Sequence, residues 1–152
     1  MVNKNKLLNL NNARKKTQRV TMERIIKDGV CPFCENNFTK YHTKPILFKT
    51  KYWIVTENAW PYECTKNHFL LVYRPKHLEK SIELEKEAYA DFKEIIERLE
   101  KERGMEFGTL LMRFGDMSQT GATVKHIHAQ LIQGDSKNPK YNPSKGVVTR
   151  IG

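Results

Sequence analysis

Apolar residues recur along this chain at two spacings. Leu78, Ile82, Tyr89, Phe92, Ile96 and Leu99 return every three to seven residues with Glu and Lys between them. That period predicts a long amphipathic helix over 79–103, closed by Gly104. Val20, Met22, Ile25 and Ile26 predict a shorter basic helix over 17–27, closed by Gly29. Elsewhere the apolar residues are β-branched or aromatic and come in short runs. Residues 45–48 and 52–56 predict two strands joined by a Lys-Thr-Lys turn, and 68–73 predicts a third that Pro75 stops. Residues 109–114 and 125–132 predict two more strands. The segment 58–67, with Pro61, and the small polar segment 115–123 read as loops. Residues 1–12, rich in Asn and Lys, are expected to fray. The order β-β-β-α-β-β predicts an α+β domain with an antiparallel sheet.

Composition narrows this picture. A chain of 152 residues that is 39% hydrophobic can bury one core, and two domains would be cramped. No apolar run approaches the roughly 18 residues of a membrane span. The first 18 residues carry neither a long apolar stretch nor a small-residue cleavage site, which predicts no secretory signal. Three cysteines are too few for a disulfide framework, and the expected location is the reducing cytoplasm.

The net charge of +10 is unevenly placed. Residues 1–28 hold eight bases and two acids, and residues 136–152 hold four bases and no acid. Residues 29–135 hold 15 of each and are neutral. The chain therefore reads as a basic N-terminal extension with a short helix (1–28), a central domain (29–135) and a basic C-terminal tail (136–152). Basic ends suit solvation, an electrostatic lead-in for a phosphate-bearing substrate, or contact with nucleic acid.

Two clusters carry chemistry. Cys31-Pro-Phe-Cys34 has the spacing of a zinc knuckle. A redox pair has the same spacing, but it normally opens a helix within a βαβ unit, and none follows here. A two-histidine finger is excluded, because the next His pair lies about ninety residues on. Spacing leaves His68, His77, His126 and His128 open as further ligands, with His42 set aside in a polar loop. Two thiolates and two imidazoles would close a tetrahedral structural site. In the strand 125–132, strict alternation puts His126, His128 and Gln130 on one face and Ile127, Ala129 and Leu131 on the other. Just before it, Gly121, Ala122 and Thr123 can aim backbone N–H groups and a hydroxyl at an anion. Trp60, Pro61 and Tyr62 either wall a base pocket or pack an ordinary loop. Cys64 reads as a loop thiol.

These pieces, taken in order, resemble the histidine-triad (HIT) superfamily of nucleotide hydrolases and nucleotidyl transferases. The matching segments are Cys31-Pro-Phe-Cys34, His68-Phe-Leu-Leu-Val-Tyr-Arg-Pro-Lys-His77, Thr120-Gly-Ala-Thr123 and His126-Ile-His-Ala-Gln-Leu-Ile132. The resemblance implies a five-stranded antiparallel sheet with one long helix, in a homodimer that binds an adenine or sugar nucleotide. It implies His128 as the nucleophile that attacks the α-phosphorus and forms a nucleotidyl-histidine intermediate. It implies structural zinc held by Cys31, Cys34, His77 and His126, favouring His77 over His68. Thr123 matches the hydroxyl residue that contacts phosphate, and Glu57 or Asn58 is an approximate match for the acid that contacts ribose. The third triad position is Gln130 rather than histidine. An amide cannot titrate, so the chemistry should favour phosphate-like leaving groups over basic amines. His-x-His-x-Gln in the superfamily is typical of enzymes that act on sugar nucleotides or dinucleoside polyphosphates, which are longer chains than this one.

Overall fold

The computed structural model describes residues 7–152. Lys4 and Lys6, with the first half of the stretch expected to fray, lie outside the described residues. Nine elements follow in order: α1 (Lys16–Asp28), α2 (Glu35–Tyr41), β1 (Ile46–Lys49), β2 (Trp53–Glu57), β3 (Thr65–Tyr73), α3 (Lys86–Arg103), β4 (Thr109–Arg113), α4 (Met117–Thr120) and β5 (His128–Gly134). The strands form one antiparallel sheet in the order β1-β2-β3-β5-β4. The expected α+β architecture is present.

The sheet has two covered faces, and the chain's alternation assigns each residue to one. Trp53, Val55, Phe69, Leu71, Tyr73, Ala129 and Leu131 pack on Ala88, Phe92, Ile95 and Leu99 of α3. Trp53 is fully buried and donates its indole N–H to the Ala88 carbonyl at 2.8 Å, which fixes the helix against β2. On the opposite face Ile54, Leu70 and Val72 meet Phe38 of α2. A further cluster of Leu8, Met22, Ile25 and Tyr41 joins α1 to the chain's start. β3 lies at the centre, covered on both sides, which is why Phe69–Tyr73 is an unbroken apolar run. Gly29 and Gly104 close α1 and α3 in the left-handed conformation, as expected.

Several features differ from the sequence reading. β3 begins at Thr65, within the expected loop 58–67, and α4 interrupts the expected loop 115–123. α3 begins at Lys86 rather than 79. The Leu78 carbonyl accepts from the Ile127 N–H at 2.7 Å and the Glu79 carbonyl from the Gly115 N–H at 2.9 Å, so neither is free to start a helix. The buried stripe runs through Ala88 and Ile95, while Ile82 is 89% exposed and Ile96 lies at the rim. β5 begins at His128 because Lys125 and Ile127 donate instead to the Leu7 and Leu78 carbonyls. α2, seven residues long, is too short to show a period and was not expected. Finally, residues 7–12 are packed. Leu8 is 4% exposed, bridges to Val124, and leads into a short 3-10 turn at Leu10–Asn12.

Candidate active site and metal centre

Four side chains far apart in sequence converge at one edge of the sheet. Cys31 and Cys34 precede α2, His77 follows β3, and His126 precedes β5. Their donor atoms all lie within 4.8 Å of one another. Three sulfur–nitrogen separations are 3.4, 3.6 and 3.9 Å, and the two Nδ1 atoms stand 3.2 Å apart. A tetrahedral zinc with ordinary bond lengths requires about 3.6 Å for sulfur–nitrogen and about 3.3 Å for nitrogen–nitrogen edges.

The outer hydrogen bonds suit the same group. His126 Nε2–H donates to the Tyr73 carbonyl at 2.7 Å, and His77 Nε2–H donates to Glu79 Oε1 at 3.2 Å. Both imidazoles thus carry their proton on the far nitrogen and turn a lone pair inward. Two inward lone pairs at 3.2 Å repel unless a cation lies between them. Burial, and then Cys34, push the Cys31 thiol up to about 12, and a divalent cation would reverse that. The donor set fits zinc. His68, the alternative that spacing left open, is elsewhere.

Phe33, between the two cysteines, carries the knuckle into the reactive centre. Its ring meets that of His128 edge-on at 5.1 Å and that of His126 at 6.1 Å. His128 is 5% exposed, and its Nδ1–H donates to the His126 carbonyl at 2.7 Å. That bond fixes the tautomer and leaves Nε2 as the free nitrogen. Burial holds the His128 pKa down at about 4, with Arg113 adding to the effect, so the ring is neutral near pH 7.

His128 lines a cavity with Gln130, Gly121, Ala122, Thr123 and Asn58, so the expected catalytic and substrate-binding residues share one site. Trp60 and Tyr62 wall the same cavity. The loop is held from behind by the N-terminal segment. Asn12 Nδ2 donates to the Ala122 carbonyl at 2.7 Å, and the Asn9 N–H donates to the Thr123 carbonyl at 3.0 Å.

Gln130 has a fixed orientation. His68 Nδ1 accepts from the Tyr62 N–H at 3.0 Å, so the His68 proton sits on Nε2, which donates to Gln130 Oε1 at 2.6 Å. With its oxygen occupied, the amide presents its NH2 group as the remaining polar end.

Several lining residues escaped the sequence reading. Arg113 ends β4 directly opposite His128, and cross-strand partners share a face. A basic residue closing the run Leu110-Leu111-Met112 was its only sequence signal. Arg14, Gln18 and His42 also line the cavity, and nothing in their local sequence singles them out. Pro61 does not face this cavity but a neighbouring cleft.

No known family profile matches the sequence, and no curated protein does. Solved structures do match. The chain superposes on a HIT family hydrolase from Clostridium thermocellum with a TM-score of 0.56 at 20% identity, covering 72% of this chain and 95% of that one. This chain has the HIT fold. A histidine triad nucleotide-binding protein from Candida albicans gives a TM-score of 0.58 at 16% identity, covering 81% and 83% of the two chains. A Zn-bound histidine triad family protein from Mycobacterium smegmatis gives 0.53 at 16% identity, covering 80% and 82%. Within the HIT fold of this chain, β3 and β5 are the paired strands that present His68, His128 and Gln130 on one face. Among the described residues no helix is long and apolar enough to cross a membrane.

Proposed function

We propose that this chain is a nucleotide hydrolase or nucleotidyl transferase that works at an α-phosphate through a nucleotidyl-His128 intermediate. The observation that carries this reading is the His128 tautomer: neutral, Nδ1–H tied to a carbonyl, Nε2 free beside a cavity that Arg113, Thr123 and Gln130 also line. The Nε2 lone pair forms a bond to the α-phosphorus while the bond to the leaving oxygen breaks, and the electron pair departs with that oxygen. Water or an acceptor phosphate then attacks phosphorus, the N–P bond breaks, and the pair returns to Nε2. The attacking water loses its proton to solvent. Catalysis is mostly positioning and charge stabilisation. The Gln130 amide and the Thr123 hydroxyl would supply donors for the non-bridging oxygens, since the Gly121 N–H already donates to the Met117 carbonyl at 3.1 Å. Gln130 cannot deliver a proton, which favours phosphate and pyrophosphate leaving groups.

Zinc held by Cys31, Cys34, His77 and His126 would have all four positions filled and would brace the strand that carries the nucleophile. The similarity in fold to a histidine triad nucleotide-binding protein supports a nucleotide as the ligand. The cytoplasm remains the proposed location.

The test is a screen of adenine dinucleotides and sugar nucleotides against the chain and its His128→Asn variant. Turnover should fall at least about a thousandfold in the variant while nucleotide still binds. Mass spectrometry after brief mixing should find one nucleotide on His128. Turnover in the variant equal to that of the parent would reject the reading.

A second reading has its own observation. Arg14 and Lys15 from one end of the chain, and Lys140 and Lys145 from the other, line a cleft beside the catalytic cavity. This favours a nucleic-acid end as a partner, bound with steep salt dependence that replacing Lys15, Lys140 and Lys145 by Ala together would reduce. No binding at low salt would reject it. The edge strand β4, with Leu110 41% exposed and Phe107 just before it 65% exposed, is where the proposed homodimer would pair, and sedimentation velocity tests it.

A further inference from the structure

Arg113 is 7% exposed, and the groups around it do not balance its charge. Nε donates to the Thr120 carbonyl at 2.7 Å, and Nη2 donates to Thr149 Oγ1 at 2.8 Å and to the Arg150 carbonyl at 2.7 Å. Nη1 reaches the Tyr62 hydroxyl at 3.3 Å. All four partners are neutral oxygens. One Nη1 hydrogen is left over.

A second guanidinium lies on the same tyrosine. Arg14 Cζ stands 4.2 Å from the centre of the Tyr62 ring, and its Nη2 donates to the Trp60 carbonyl. Its other nitrogens make no side-chain hydrogen bond among the described residues. None of the ion pairs among those residues includes Arg14 or Arg113. Partial desolvation and then Arg113 work to lower the Arg14 pKa, against an opposing pull from Tyr62.

Two like charges held by one tyrosine, Arg14 on its ring and the buried Arg113 at its hydroxyl, without a carboxylate, are costly unless an anion joins them. Arg113 is also the cross-strand partner of His128, and both arginines line the cavity that holds it. We propose that Arg113 and Arg14 form an anion clamp that binds a second phosphate of the substrate, next to the one His128 attacks. The clamp selects nucleotides joined through a phosphoanhydride over simple monophosphates and their esters. This rests on the nucleotide reading above and names residues that decide specificity within it.

Binding to the full chain, measured by calorimetry, tests the clamp with three probes: AMP, the non-cleavable α,β-methylene-ADP, and inorganic pyrophosphate. A charge-assisted clamp predicts a preference of about tenfold or more for methylene-ADP over AMP. Arg113→Gln should reduce that preference to about twofold, with the affinity for methylene-ADP falling further than that for AMP. Arg14→Gln, at a solvent-reachable position, should reduce it partway, and it serves if the Arg113 variant does not fold. AMP binding with no preference for the diphosphate, or a preference untouched by either variant, overturns the clamp and leaves the nucleotide reading standing. Pyrophosphate binding that needs Arg113, without any nucleotide binding, keeps the clamp and removes the nucleotide reading. If none of the three probes binds, both fall.

Discussion

At the scale of single residues, His68 does its work through another side chain. Its Nδ1 is occupied by the Tyr62 N–H, so Nε2 can only donate, and Gln130 must offer its oxygen in return. His68 is a positioning residue, and its removal should act only through Gln130. We expect His68→Ala and Gln130→Ala each to lower turnover by roughly tenfold, and the double variant to be no slower than either. A double-mutant cycle with additive losses would show that His68 acts independently. The same imidazole has a titration consequence, shared with His42, which lies against Phe38 and donates to Thr56 Oγ1 at 2.8 Å. Burial is the main cause that lowers both pKa values from 6.5 to about 4. Protons therefore bind the unfolded chain first as pH falls. The stability these two rings contribute is complete above about pH 6.5 and is lost between 6.5 and 4. Melting temperature should drop across that window, and His68→Asn should flatten part of the drop. A melting temperature level from pH 7 to 5 would contradict this.

At the scale of elements, the Cys31–Cys34 knuckle, proposed to hold zinc, and α2 act as one brace. Phe33 carries the packing of the knuckle onto His128, and Phe38, 1% exposed, carries that of α2 onto the sheet. Metal-free purification followed by zinc repletion should give one equivalent of zinc. Cys34→Ser should lower that and reduce turnover, although Cys34 does not line the cavity. Retention of full activity with less than about half an equivalent would separate the brace from the chemistry. The elements differ in how plainly the sequence announced them. The 3.6-residue period marked α3, and alternation marked the face of β5, because both are long enough to repeat. The same period misplaced the start of α3. Carbonyls such as Leu78 O are claimed by residues nearly fifty positions away, and no local pattern carries that. The metal set was half legible. Cys-x-x-Cys is a local spacing, whereas the choice of His77 over His68 depends on where β3 ends.

At the scale of the whole molecule, the two ends of the chain close the site rather than trailing from it. Asn12 supports the phosphate loop at the Ala122 carbonyl, and the Arg150 carbonyl accepts from Arg113. A Cβ on Gly121 would meet the Arg150 carbonyl oxygen at 2.6 Å, and the glycine has a φ of +73°. Gly121→Ala should therefore both strain the loop and push the C-terminal segment off Arg113. Limited proteolysis should then cleave after Lys145 faster than in the parent. These contacts explain why the charge arithmetic was informative about composition and silent about position.

The sheet order also bears on how the site of the proposed nucleophile comes to exist. β5 lies between β3 and β4, so its backbone amides are locked on both edges. Those pairings join residues 65–73 to 128–134, a closure of about sixty residues that must be in place before His128 has neighbours. The reactive strand should thus be among the last parts of the molecule to exchange its amide hydrogens with solvent, through global unfolding rather than local opening. His128, the proposed nucleophile, thus sits in the least yielding part of the chain.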